Sequence, residues 1–180
     1  SDSGNVHIRF KPGLYEIQNG LVVDSGERSK HIQAVKIESP SLYGAYFHTY
    51  GLDDEPVIKF DPEGDPVSGD SGDRWRDITL ENMFFDNRDE VQVYESSTPD
   101  SERDIKGVGL GGDMSINLYN LEFRGYRQAL QVTNIFEGKI DNIRVTSSGK
   151  ASSDDSAIIM EQGDSGFGSA ADAINHVEVN

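Results

Sequence analysis

Two adjacent carboxylates, Asp154 and Asp155, stand just before the apolar run Ala157–Met160. Paired carboxylates do acid–base work when one donates a proton and the other activates water; inverting glycosidases hold them about 6.5–9.5 Å apart. Here the pair sits in a serine-rich loop of a very acidic chain, where solvated surface is the default reading. Asp61-Pro62-Glu63-Gly64-Asp65 places three carboxylates at alternate positions, a spacing that suits a hard cation such as Ca2+. The full twelve-residue ligand loop with its distal Glu is missing, so a solvated acidic loop is the default there. His7, His31, His48 and His176 share no metal-ligand spacing, and no HExxH motif occurs. No Ser-His-Asp arrangement or phosphate-cradling loop is found, and Gly107–Gly112 fits a tight backbone turn better. No cofactor is required by these residues, and Ca2+ at Asp61, Glu63 and Asp65 is the one candidate.

What must position any such group is a stretch of 22 residues laid down twice in register. Leu110, Leu118, Asn120, Leu121 and Phe123 recur 22 residues later as Val132, Ile140, Asn142, Ile143 and Val145. The signature apolar-x-Asn-apolar-x-apolar also stands at Leu80–Phe85 and returns at Ile174–Val179, with His176 in the Asn place. Repetition of this kind predicts stacked coils. Residues two apart share a strand face, so Ile78 and Leu80 point one way and Met83 and Phe85 point together. The odd step from Leu80 to Met83 should flip the face unless one residue turns the chain. Asn adopts the left-handed conformation more readily than most residues. Asn82, Asn120 and Asn142 are therefore expected as corners that let both strands of each coil face one interior.

In that register Glu81, Tyr119, Asp141 and Asn175 form one outward row, and Phe84, Glu122, Arg144 and Glu178 form another. Aromatic rings beside carboxylates and amides suit sugars, offering an apolar face and hydroxyl partners. Glu81, Tyr119, Asp141, Asn175, Phe84 and Arg144 are accordingly the candidate glycan-binding residues. Arg144 is the one outward basic residue in these aligned rows. Further strands are expected at Val35–Ile37, Ala45–Tyr50 and Val57–Phe60. Asn19-Gly20, between apolar runs, leaves an antiparallel hairpin at the start as an alternative. The surplus residues between coils fall in polar loops, notably Asp61–Asp73 and Asp86–Lys106.

The 180 residues carry 16 basic and 32 acidic side chains, a net charge of −16. Such a field disfavours nucleic acid and anionic membranes, because phosphate binding relies on Lys and Arg. No run approaches the roughly 20 apolar residues of a membrane span. With no cysteine, redox compartment is not legible. The acid-rich, lysine-poor composition resembles that of proteins from halophilic archaea and their viruses, where salt screens the self-repulsion.

The opening Val6–Ile17, an alternating apolar strand followed by Pro12-Gly13, Tyr15 and Ile17, resembles the start of many pectin-lyase-like proteins. With the coils from Ile78 to Val179, the resemblance spans nearly the whole chain. It implies an all-β fold: a single-stranded right-handed parallel β-helix, a solenoid of three-strand coils. The capping helix that often precedes this opening is absent from the sequence. Residues 1–5 read as a linker or trimmed terminus and 6–180 as one β-helix domain continuing beyond residue 180. An open coil end calls for a cover: continuing chain, a neighbouring domain or a homotrimeric partner.

The superfamily includes polysaccharide lyases, polygalacturonases and phage tailspikes. Polygalacturonases place an Asp-Asp pair much as Asp154-Asp155 stands here. Their upstream Asn-Thr-Asp segment and downstream His and Arg-x-Lys motifs are absent. The expected function is therefore a tailspike-like module, extracellular or on a cell or virion surface, engaging envelope glycans of a halophile. The alternative is a secreted polysaccharide lyase or glycoside hydrolase. No nucleic acid and no membrane insertion are expected.

Overall fold

The computed structural model describes residues 5–18, 21–24, 34–49, 57–61, 77–87, 106–111, 115–126, 128–133, 137–146, 158–161 and 177–180. Apolar residues alternate along these segments, and they form strands; in β4 and β5 every second side chain is buried. The strands are β1 (Asn5–Arg9), β2 (Gly13–Ile17), β3 (Leu21–Asp24), β4 (Ala34–Glu38), β5 (Ala45–Thr49), β6 (Ile58–Asp61) and β7 (Asp77–Asp86). They continue as β8 (Lys106–Gly111), β9 (Ser115–Arg124), β10 (Gln128–Thr133), β11 (Glu137–Thr146), β12 (Ile158–Glu161) and β13 (Val177–Val179). No helix occurs among the described residues, and so none long and apolar enough to cross a membrane.

All eleven strand pairings among the described residues are parallel. One sheet has the order β1-β4-β7-β9-β11-β13, with β5 pairing along the second half of β7 and β2 pairing with β5; the other runs β12-β10-β8-β6-β3. The chain thus visits the same three strand positions in the same order on each pass. We call each pass a coil. This topology is all-β, largely parallel and compatible with a parallel β-helix.

The 22-residue repeat is the pairing of β9 with β11: Leu118 lies opposite Ile140, Leu121 opposite Ile143 and Phe123 opposite Val145. Asn82, Asn120 and Asn142 have φ of 59°, 51° and 53°, the left-handed values their corner role requires. Their amides form a ladder. Asn142 Nδ2 donates to Asn120 Oδ1 at 2.7 Å, and Asn120 Nδ2 donates to Asn82 Oδ1 at 3.0 Å. Asn82 Nδ2 ends the run on the Ser39 carbonyl at 3.1 Å. Because the corner reverses the alternation, Ile78, Leu80, Met83 and Phe85 all reach the same interior and are fully buried.

Beside this aliphatic core runs a file of stacked rings. Tyr15, Phe47, Phe85 and Phe123 follow one another at centroid spacings of 5.4, 5.1 and 5.2 Å. The spacing matches the strand separation of about 4.8 Å, so four successive coils each contribute one ring, and Val145 follows Phe123 in the next.

Two expectations are corrected. β2 and β3 do not form a hairpin: β2 pairs with β5 and β3 with β6, both parallel, so the chain starts as it continues. The last coil is also displaced from the sequence register. Val177, Glu178 and Val179 lie opposite Gly138, Lys139 and Ile140, so Val179, not Ile174, occupies the Ile140 row. The backbone agrees, since Asn180 N donates to the Ile140 carbonyl at 2.9 Å. Glu178 therefore stands beside Lys139 rather than Arg144, and Ile174 and His176 lie outside the described residues. An alternating apolar run satisfies either register, and only the pairing distinguishes them.

Candidate functional site

In coils with an Asn corner, the turn between the two strands is one residue. Between β4 and β5 a loop, Ser39–Gly44, takes its place. Ser39 Oγ donates to the Ser41 carbonyl at 2.9 Å and accepts from Ala45 N at 3.0 Å. Gly44 is needed inside this loop, since a Cβ there would lie 2.9 Å from Ser41 Oγ and 3.0 Å from Ser39 Oγ. The loop carries Tyr43 out over the sheet face. Its ring meets Phe84 of the next coil edge-on at 5.4 Å, and its hydroxyl donates to Glu122 Oε2, one coil further, at 2.7 Å.

Outward neighbours in the paired strands complete a cluster. Tyr46, Phe84, Glu122 and Arg144 form one row across β5, β7, β9 and β11; His48, Asp86, Arg124 and Thr146 form the next. Glu122 is buried although it points away from the core. Its other oxygen, Oε1, accepts from Arg124 Nη2 at 3.0 Å, and Arg144 Nη1 stands 3.9 Å from Oε2. Arg124 also lies 3.9 Å from Asp86 Oδ2 and sits over the Phe84 ring at 5.0 Å. Asp86, likewise buried, accepts from the Tyr46 hydroxyl at 2.5 Å. Two buried carboxylates are thus joined by one guanidinium and two phenols, a charge-assisted arrangement that fixes every member. The hydrogen bond to Glu122, and then burial, raise the Tyr43 phenol above its ordinary pKa. Tyr43 therefore stays protonated at neutral pH and serves as a donor rather than a base.

The exposed parts are few. Tyr43 is 59% exposed and the Arg144 side chain 65%. The cluster is a rigid base presenting an aromatic ring and a guanidinium that meet at one carboxylate oxygen.

The expected residues fall around this centre. Glu81, Tyr119 and Asp141 do share an outward row, extended by Glu38 and Arg9. Glu81 pairs with Lys36 at 2.8 Å, and Lys36 also binds Glu38 at 2.7 Å. That contact with Lys36, ahead of one from His7, holds the Glu38 carboxyl below its usual range. Tyr119 donates to Asn117 Oδ1 at 3.2 Å, and Asn117 Nδ2 donates to Asp77 Oδ1 at 3.0 Å. Asp141 lies 4.0 Å from Lys139 Nζ. Phe84 points outward but is buried under Tyr43, Tyr46 and Arg124, so no sugar ring can stack on it from solvent. Nor is Arg144 the sole outward cation, since Lys36, Lys139 and Arg124 share this face.

Asp154, Asp155, Asn175, Glu63 and Asp65 lie outside the described residues; Asp61 ends β6, paired with Asp24. Among the described residues, no group of three His, Cys, Asp or Glu is arranged to hold a metal. Tyr43, Asp86 and Arg124 were missed because their roles depend on packing between coils. The signal that could have found Tyr43 is the broken corner: Ser39–Gly44 stands where later coils have a single Asn.

No family model matches the chain, and neither the curated proteins nor the solved structures contain a match.

Proposed function

We propose that the chain is a right-handed parallel β-helix of the pectin-lyase-like, tailspike type that engages glycans of a halophile's cell envelope. It would do so from a virion, a cell surface or the extracellular medium. The observation that carries this reading is the Tyr43 ring, held over the sheet by a bond to buried Glu122 and exposed beside Arg144. A sugar presents an apolar face to an aromatic ring and hydroxyls to nearby polar groups, and a ring locked in place loses little entropy on binding. Tyr119, Asn117 and Asp141 extend the polar surface in the neighbouring rows. The acidic composition supports the high-salt setting.

The enzymatic alternative would place acid–base catalysis on Asp154 and Asp155. Within the described cluster, Asp86 and Glu122 are both buried and engaged by phenol and guanidinium groups, so neither carboxylate is presented to a ligand. The test is binding of purified envelope glycans at high salt, with reducing-end release followed in parallel. Tyr43→Ala should weaken binding about tenfold or more, Tyr119→Ala less, and no ends should be released. Ends released by the parent chain and abolished in the Asp154→Asn/Asp155→Asn variant would overturn the binder in favour of the enzyme.

A further inference from the structure

We infer that the Tyr43–Arg144 site reads a sugar carrying an oxyanion, a carboxylate or sulfate ester, rather than a neutral one; this rests on the glycan-binding reading above. The argument starts from how the two cations of the cluster are engaged. Arg124 is committed: it binds Glu122 Oε1 at 3.0 Å, lies over Phe84 and approaches Asp86. Among the described residues Arg144 makes one loose ion-pair contact, 3.9 Å to Glu122 Oε2, and its side chain is 65% exposed. Glu122 is already satisfied by closer donors, the Tyr43 hydroxyl at 2.7 Å and Arg124 at 3.0 Å. Arg144 is therefore not needed to neutralise it, and most of its five N–H groups face solvent.

A guanidinium in this position has one strong type of partner. Its planar fork matches the paired oxygens of a carboxylate or sulfate, and a charge-assisted bidentate bond is roughly twice as strong as a neutral one. Tyr43 and Arg144 converge on the same oxygen, Glu122 Oε2. A single sugar unit could thus rest on the ring while its anionic substituent meets the fork. The surroundings sharpen the choice. On a chain of net charge −16, anionic ligands are repelled wherever no local cation receives them. A neutral sugar offers Arg144 only hydroxyl acceptors and no opposite charge, the weaker of the two pairings.

The experiment uses three oligosaccharides of one backbone, neutral, carboxylate-bearing and sulfate-bearing, titrated at one fixed molar KCl concentration. The parent chain, Arg144→Gln and Tyr43→Ala are compared, with thermal melts confirming that each is folded. At least one charged probe should bind the parent about tenfold more tightly than the neutral one. Arg144→Gln should level that difference while leaving neutral binding in place, and Tyr43→Ala should weaken all three. Preference for carboxylate or for sulfate identifies the anion. Equal binding of all probes, or a charge preference that survives Arg144→Gln, overturns this inference and leaves glycan binding standing. Absence of binding by every probe and by purified envelope glycans removes both.

Discussion

Tyr43 and Glu122 show how a single bond reshapes a surface. Glu122 is placed outward by strand alternation, yet the phenol above it and Arg124 beside it close it off from water. The carboxylate stabilises the neutral phenol, since a phenolate beside it would be repelled. The folded pKa of Tyr43 is therefore raised above 10.0. A group raised in this way contributes fully below its unfolded value and loses that contribution as pH rises through the folded one. The site should thus be unaffected across neutral pH and loosen only in strong alkali. An ultraviolet titration of the parent chain minus Tyr43→Phe should show one phenol ionising above the ordinary tyrosine range. A difference spectrum titrating at or below 10.0 would contradict the bond to Glu122.

Among the elements, the Asn corner is decisive. Asn120 combines a left-handed backbone with two ladder bonds, accepting from Asn142 and donating to Asn82. Asn120→Ala should therefore lose about 3–4 kcal/mol, from roughly 1–2 of backbone strain and about 1 for each of the two bonds. Asn120→Gly relieves the strain and should recover about 1–2 kcal/mol of that loss. Urea unfolding midpoints check this, and indistinguishable midpoints for the two variants would contradict the strain argument. These corners were legible in the sequence because an odd apolar spacing leaves the backbone one inexpensive solution. The stacked rows of Leu118 and Phe123 followed from the same spacing. The last coil was not legible, since the short alternation of Val177 and Val179 fits more than one register. Nor was the buried state of Phe84 and Glu122, which depends on a tyrosine distant in sequence and set by a loop without periodicity.

At the scale of the whole molecule, charge dominates. Thirty-two acidic against 16 basic side chains repel one another in dilute buffer. The Debye length falls from about 10 Å at 0.1 M to about 3 Å at 1 M salt, which removes most repulsion between separated surface charges. The melting temperature should accordingly rise as KCl increases from about 0.1 M to the molar range. The short ion pairs of buried Glu122 should be affected least. A midpoint that stays flat or falls in thermal melts would count against adaptation to high salt.

Stacked strands behave as a one-dimensional chain in which each layer is stabilised only by the layers beside it, so such arrays fray from their ends. The Tyr43 phenol breaks that rule by passing over one layer to bond the next. A layer flanking Phe84 cannot peel away without also releasing Glu122. The three layers from β5 to β9 are thereby sewn into one cooperative block. Thermal openings that start at either end meet a barrier there, and the surface that carries Tyr43 sits on the last part of the array to come apart.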